Sequence, residues 1–144
     1  TVMIGMMVWM LPSCKHGKCE NGPDSNVSMS SHNAGENCMR CHLPDGEGEV
    51  CWTAAGTIYD QNAELPLSGQ VVILFTGPQG TGNVQRTLIS DASGNIHTSN
   101  SLSFGHGLFP ALVHNSDTTF MNQVITDGAC NRCHGVTTDR IIVP

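Results

Sequence analysis

The stretch Gln70-Val71-Val72-Ile73-Leu74-Phe75 decides the fold that the sequence predicts. Its last five residues are all apolar, a pattern typical of a strand that lies inside a sheet and is covered on both faces. A run of this length suits a strand and is too short for a buried helix. We therefore predict a central strand at residues 70–75.

Outward from this strand, short apolar or β-branched runs alternate with turn-forming clusters. Asp91-Ala92-Ser93-Gly94-Asn95 is a strong turn signal, and we expect residues 76–82 to form a flexible hairpin loop. No segment keeps a helical period for more than two turns. The pattern predicts an all-β sandwich. Its remaining strands are expected at residues 50–59, 84–90, 96–98, 108–113, 119–125 and 140–144.

The chain has 144 residues, a length that favours one domain, and its composition changes along the way. Residues 1–13 are mostly apolar and are interpreted as a signal-peptide-like or strand-forming segment. Residues 14–48, called the arm from here on, are rich in Gly, Asn and Ser, and we expect them to be irregular. Residues 49–126 form the predicted sandwich, and residues 127–144 follow it with a short C-terminal strand. The net charge of −6, with no basic stripe, argues against a nucleic-acid partner.

The middle of the chain resembles the carboxypeptidase regulatory-like module. The likeness rests on Ala55-Gly56-Thr57-Ile58-Tyr59-Asp60, on residues 65–74, and on residues 87–96 with Asp91 and Gly94. It covers roughly residues 50–100 and implies a transthyretin-like or immunoglobulin-like sandwich of about seven strands. Because that module is not catalytic in the enzymes that carry it, the resemblance implies a scaffold here.

Two copies of C-x-x-C-H flank this region. The first motif is Cys38-Met39-Arg40-Cys41-His42, and the second motif is Cys130-Asn131-Arg132-Cys133-His134. At this chain's composition the pattern is expected by chance only about 0.016 times. It is the attachment signature of c-type haem, in which both thiols add to the haem vinyl groups and the histidine binds the iron.

The sequence therefore predicts two covalently attached haem c groups. Their protein ligands are expected to be Cys38, Cys41 and His42 in one site and Cys130, Cys133 and His134 in the other. The main alternative is a zinc site built from the four thiolates, although zinc does not require a histidine directly after each cysteine pair.

Cys14, Cys19 and Cys51 remain, and three thiols cannot all pair with one another. The apolar run 2–11 and the end Leu11-Pro12-Ser13-Cys14 resemble a bacterial lipoprotein signal. This implies a lipid anchor on Cys14 and leaves Cys19 free to pair with Cys51. If residues 2–11 are instead a retained strand that pairs with another subunit, Cys14 and Cys19 could close a small loop and leave Cys51 as a buried thiol. Both interpretations stay open.

The second axial ligand of each iron decides between electron transfer and small-molecule chemistry. His32 is our first candidate, because it precedes Cys38 by six residues, which can span up to about 20 Å. His106, flanked by glycines, and His16, in the arm, are the candidates for the other iron. We interpret His97 and His114 as ordinary surface residues.

These expectations together indicate an electron carrier and not an enzyme. We expect a dihaem c-type cytochrome at the periplasmic or outer-membrane surface of a bacterium, or outside the cell. Its partners would be redox proteins or extracellular electron acceptors. If the haems lie at the two ends of the module, copies could stack head to tail, which resembles the subunits of extracellular cytochrome nanowires. The alternatives are a dihaem peroxidase-like enzyme and a haem-bearing surface-adhesion module.

Overall fold

The computed structural model describes residues 19–144, so the predictions for residues 2–11, Cys14 and His16 lie outside it. Within the described residues the chain is all-β, as predicted, and its helices are three single 3-10 turns. The strands are β1 (Ala54–Tyr59), β2 (Val71–Phe75), β3 (Val84–Ile89), β4 (Asn95–Thr98), β5 (Phe109–His114), β6 (Asp117–Phe120), β7 (Gly128–Ala129) and β8 (Ile141–Ile142).

The strands form two sheets of a sandwich. One sheet is antiparallel, in the order β3-β2-β5-β6, and the other has the order β4-β1-β7, with β8 also paired to β1. β2 is hydrogen-bonded to strands on both sides, with Val72 opposite Leu88 and Leu112. The central strand predicted from the apolar run is therefore confirmed.

Apolar side chains from both sheets meet in one core. Ile58, Leu88 and Leu108 are fully or almost fully buried there, and Val72, Leu74, Ile96, Leu112 and Val143 complete the cluster. Each such side chain contributes about 1.5–3 kcal/mol by leaving water. On β2 only Val72 and Leu74 are buried and their neighbours are half-buried, so the sandwich covers one face of this strand more fully than the other.

Several strand limits differ from the prediction. β1 begins at Ala54 because Val50 pairs only with Glu20 of the arm, in an isolated bridge. β6 covers residues 117–120, and Ile125 beyond it pairs only with Leu108. β7 was not predicted, since a Gly-Ala pair has no apolar pattern and becomes a strand only by pairing with β1. The loop 76–82 does join the antiparallel strands β2 and β3, and it contains a 3-10 turn.

β1 is the central strand of its sheet, and all six of its residues are buried. β4 pairs with it antiparallel along one edge. Along the other edge β7 pairs with Ala54 and Ala55, and β8 pairs with Ile58 and Tyr59, both parallel. Residues 130–140 leave the sheet between these two pairings. The second motif therefore lies beside the middle of β1.

The arm is attached to the sandwich by covalent and polar contacts. Cys19 and Cys51 form a disulfide, which confirms one of the two cysteine pairings left open above. Further along, Ser31 donates from its backbone N–H and its hydroxyl to the buried Asp91 carboxylate. No helix among residues 19–144 is long and apolar enough to cross a membrane.

Candidate functional site

The two C-x-x-C-H motifs have the same local conformation. Each begins with a single 3-10 turn, Cys38–Arg40 in the first and Cys130–Arg132 in the second. In both, the backbone N–H groups of the second cysteine and of the histidine donate to the carbonyl oxygen of the first cysteine, at 3.2 and 3.0 Å. The segments before the two motifs differ in sequence, so the shared turn belongs to the motif itself.

Both motif histidines use the same ring nitrogen, Nδ1, for a hydrogen bond to a backbone carbonyl. Nδ1 of His42 lies 2.6 Å from the carbonyl oxygen of Val50, and Nδ1 of His134 lies 2.8 Å from that of Asp139. A carbonyl can only accept, so each Nδ1 carries the proton and donates it. This leaves the Nε2 lone pair free, which is the arrangement that metal-binding histidines use.

A second imidazole faces His42. The ring centres of His32 and His42 are 6.0 Å apart and tilted by 32°. Two imidazoles that share one metal ion at metal–nitrogen distances of about 2.0–2.1 Å hold their ring centres roughly 6 Å apart. The arm therefore brings His32 to the distance that an axial pair on one ion needs.

A cavity of about 630 Å³ opens beside the first motif. This volume is within the range of about 300–1,000 Å³ that is usual for small-molecule and cofactor sites. Cys38, Cys41 and His42 line it together with His32. The two thiols, the free Nε2 of His42 and the open volume thus fit a flat group that is attached through sulfur and ligated by nitrogen.

The inner wall of this cavity contains a histidine that we interpreted as an ordinary surface residue, and that interpretation is wrong. His97 is only 4% exposed, and its ring centre lies 4.2 Å from that of Trp52, which in turn lies 5.3 Å from that of His42. The arm buries it, since the backbone of His97 exchanges two hydrogen bonds with Ser25. Burial lowers the pKa of His97, opposed by the Asp91 carboxylate, so the ring is neutral at pH 7.

The first cysteine of the second motif is packed against β1. A Cβ atom built on Gly56 would lie 2.8 Å from Cβ of Cys130, so only glycine admits this approach. Burial raises the pKa of Cys130 to about 11, and burial likewise raises the pKa of Cys38. Both first cysteines are therefore protonated thiols at neutral pH in the chain as it stands.

An ion pair supports the turn of the second motif. Partial burial raises the pKa of Asp127, but the N–H of Ala129 and the guanidinium of Arg132 outweigh it and leave this pKa below its usual range. Arg132 and Asp127 form a salt bridge at the surface. Such exposed pairs contribute about 0–1 kcal/mol, so this one orients Arg132 more than it stabilises the fold.

His106 and His114, the remaining histidines of residues 19–144, form no ring contact with either motif. His106 is exposed in the turn before β5, and within residues 19–144 no hydrogen bond or ring contact joins it to a motif. His114 ends β5, and its Nδ1 lies 2.7 Å from Oε1 of Gln70. Within the same residues, no group of three His, Cys, Asp or Glu side chains is placed to hold a metal ion.

The two motifs lie side by side, so the placement at the two ends of the module that head-to-tail stacking requires is not found. Nδ2 of Asn131, inside the second motif, donates to the carbonyl oxygen of Glu36 at 3.0 Å, two residues before the first motif. The parallel pairing of β7 and β8 brings the second motif to β1, and the 3-10 turn of the first motif also lies against β1. Sequence reasoning missed this contact, because the position of Asn131 within C-x-x-C-H is not restricted by the motif.

Comparisons of the chain with protein-family models, with curated proteins and with solved structures find no match. Its function must therefore be inferred from the residues of the site.

Proposed function

We propose that the protein is a dihaem c-type cytochrome that carries electrons in the cell envelope or outside the cell. One observation carries the proposal: two C-x-x-C-H segments far apart in sequence adopt the same turn, and each presents a histidine with a free Nε2. Bound haem supplies one-electron chemistry, and the polypeptide supplies attachment, orientation and insulation.

Each residue of the site has a definite task in this proposal. Cys38 and Cys41 attach one haem, and Cys130 and Cys133 attach the other. His42 and His134 bind the two irons through Nε2, and the carbonyl groups of Val50 and Asp139 hold these rings in the required tautomer. The cavity beside the first motif receives the body of its haem.

His32 favours an electron carrier over the peroxidase-like alternative. A peroxidase needs an open distal face and an acid–base group above it. A ring whose centre is 6.0 Å from that of His42 would instead occupy that face of the first iron. Two imidazole ligands favour electron transfer over the activation of small molecules. The adhesion alternative has little support in a chain with only 5% aromatic residues.

The proposed location follows from cysteine chemistry. C-type haem is attached outside the cytoplasm, and the Cys19–Cys51 disulfide suits the same oxidising surroundings. The partners would be redox proteins or extracellular electron acceptors. The lipoprotein hypothesis adds a lipid anchor on Cys14. Assembly into a filament stays a prediction from the sequence, to be decided by electron microscopy of native material. Because the two motifs are adjacent, such a filament would have to join its copies by a contact other than end-to-end stacking of the haems.

The test combines haem counting with the ligand variant His32→Ala. We expect mass spectrometry to find two covalent haems on the purified protein. In His32→Ala, one haem should lose its low-spin spectrum and bind carbon monoxide, because one axial ligand is gone. The matched control is His114→Gln, whose ring is engaged with Gln70 and not with a motif; it should keep the wild-type spectrum.

Two results would contradict the proposal at different levels. A protein matured in a cytochrome c-competent host that carries no covalent haem would overturn it entirely. A His32→Ala spectrum identical to that of the wild type would remove His32 as a ligand while leaving both attachment sites in place.

A further inference from the structure

Thr57, in the middle of β1, makes every hydrogen bond that its hydroxyl can make. The side chain is 1% exposed. Its oxygen accepts from the backbone N–H of Gly35 at 2.9 Å and from Nδ2 of Asn131 at 2.8 Å, and it donates to Oδ1 of Asn95 at 2.6 Å. A hydroxyl has one donor and two acceptor positions, so this group is fully used. One hydroxyl therefore joins the arm, the second motif and β4.

Asn131 completes the contact between the two motifs. Its Oδ1 accepts from the backbone N–H of Thr57 at 3.1 Å, in the gap that β7 and β8 leave along the edge of β1. Its Nδ2 donates both to the Thr57 hydroxyl and to the carbonyl oxygen of Glu36. The side chain of Asn131, a residue that is 3% exposed, thus takes the place of a strand partner and reaches the segment directly before the first motif.

Asn95 extends this network to the candidate iron ligand His32. Its Nδ2 donates to Oγ of Ser31 at 2.9 Å and to the carbonyl oxygen of His32 at 3.2 Å. The backbone of His32 is therefore connected through Asn95 and Thr57 to the second motif. Buried networks with every member satisfied are rigid, because any shift would leave a buried polar group without its hydrogen-bond partner.

We propose that Asn131, Thr57 and Asn95 are positioning residues that hold the two haem groups beside each other as one electronically coupled pair. This inference rests on the proposed function and adds an arrangement to it. With both haems bound, such a pair would allow an electron to pass from the ferrous iron of one haem to the ferric iron of the other without a further reactant.

Circular dichroism in the Soret band tests the coupling directly. Two haems held close together in a fixed orientation give a two-signed couplet, whereas separate haems give the sum of their individual spectra. The reference is the summed spectra of two single-haem variants, Cys38→Ser with Cys41→Ser and Cys130→Ser with Cys133→Ser. We expect the wild-type protein to show a couplet that this sum lacks.

The role of the network is tested with two substitutions at one position. Thr57→Val keeps the shape of the side chain but leaves Gly35 and Asn131 without their acceptor, so the couplet should be lost at unchanged haem content. Thr57→Ser keeps the hydroxyl and should keep the couplet. A residue that served stability alone would change the unfolding midpoint and leave the couplet of the folded protein as it is.

Each possible result supports or overturns a defined statement. Absence of covalent haem overturns the proposed function, and the inference with it. Two haems whose spectrum equals the single-haem sum overturn the pair but leave the dihaem cytochrome. A Thr57→Val protein with an unchanged couplet overturns the positioning role. If Thr57→Val fails to fold, the comparison of the wild type with the single-haem sum still decides whether the pair exists.

Discussion

Gly56 shows at the scale of one residue how the backbone makes room for the second motif. Its neighbours across the gap are Cβ and Sγ of Cys130, 2.8 and 3.4 Å from where a Cβ of its own would be. In an ordinary strand, replacing glycine by alanine is favourable because alanine loses less conformational entropy on folding. At Gly56 the added methyl group would instead clash with Cβ of Cys130, so the same substitution is expected to destabilise the fold.

We predict that Gly56→Ala lowers the free energy of unfolding by about 1–3 kcal/mol, because the added methyl group must push Cys130 away from β1. Urea denaturation measures the change. Gly105→Ala is the matched control, since a Cβ there meets only Oγ of Ser103 at 3.9 Å; it should change stability by less than about 0.5 kcal/mol. Equal stability of the two variants would show that Cys130 does not pack against Gly56.

At the scale of an element, residues 19–48 of the arm have little regular structure, and a few attachments hold them against the sandwich. The disulfide closes a separation of 32 residues, and it adjoins the bridge between Glu20 and Val50. Cys51 directly precedes Trp52, a wall of the cavity. The covalent link therefore holds the arm close to the side chains that surround the first motif.

Replacing Cys19 and Cys51 together by serine should lower the free energy of unfolding by about 3–4 kcal/mol in the chain-entropy model, because the unfolded chain gains freedom. Urea denaturation with and without dithiothreitol provides an internal control. Reduction should bring the wild type down to the double variant and leave the variant unchanged. If the urea midpoint of the wild type were the same with and without dithiothreitol, the disulfide would not stabilise the fold.

At the scale of the whole molecule, the surface is acidic. The sequence carries 12 Asp and Glu against 6 Lys and Arg, and haem propionates would add further negative charge. Opposite charges raise the rate of encounter between partners, and salt screens this effect over about 8–10 Å at physiological ionic strength. A basic redox partner would therefore meet this protein faster than an acidic one.

We expect the rate of oxidation of the reduced protein by the cation hexaammineruthenium(III) to fall as salt is added, and the rate with the anion ferricyanide to rise. Stopped-flow absorbance in the Soret band measures both. The two reagents act as controls for each other, because a general salt effect on the protein would shift both rates in one direction. Parallel changes would show that the region around the proposed haem sites does not share the net charge.

Much of the fold was predictable because it depends on neighbours along the chain. The apolar run of β2 and the turn at Asp91 to Asn95 are local patterns, and both predicted features are confirmed. The Cys19–Cys51 pairing was one of two open alternatives, which only the placement of the arm could separate. β7 could not be predicted, since its two small residues become a strand only beside β1.

The sequence by itself determined the local chemistry, because the C-x-x-C-H spacing and the apolar run of β2 need no distant contact. It also indicated His32 as the histidine closest to the first motif. Only the tertiary structure decided what is adjacent. The pairing of β7 and β8 with one strand brings Asn131 to Glu36, and the arm buries His97. These contacts join residues up to 95 positions apart, and such proximity arises from packing that no local pattern encodes.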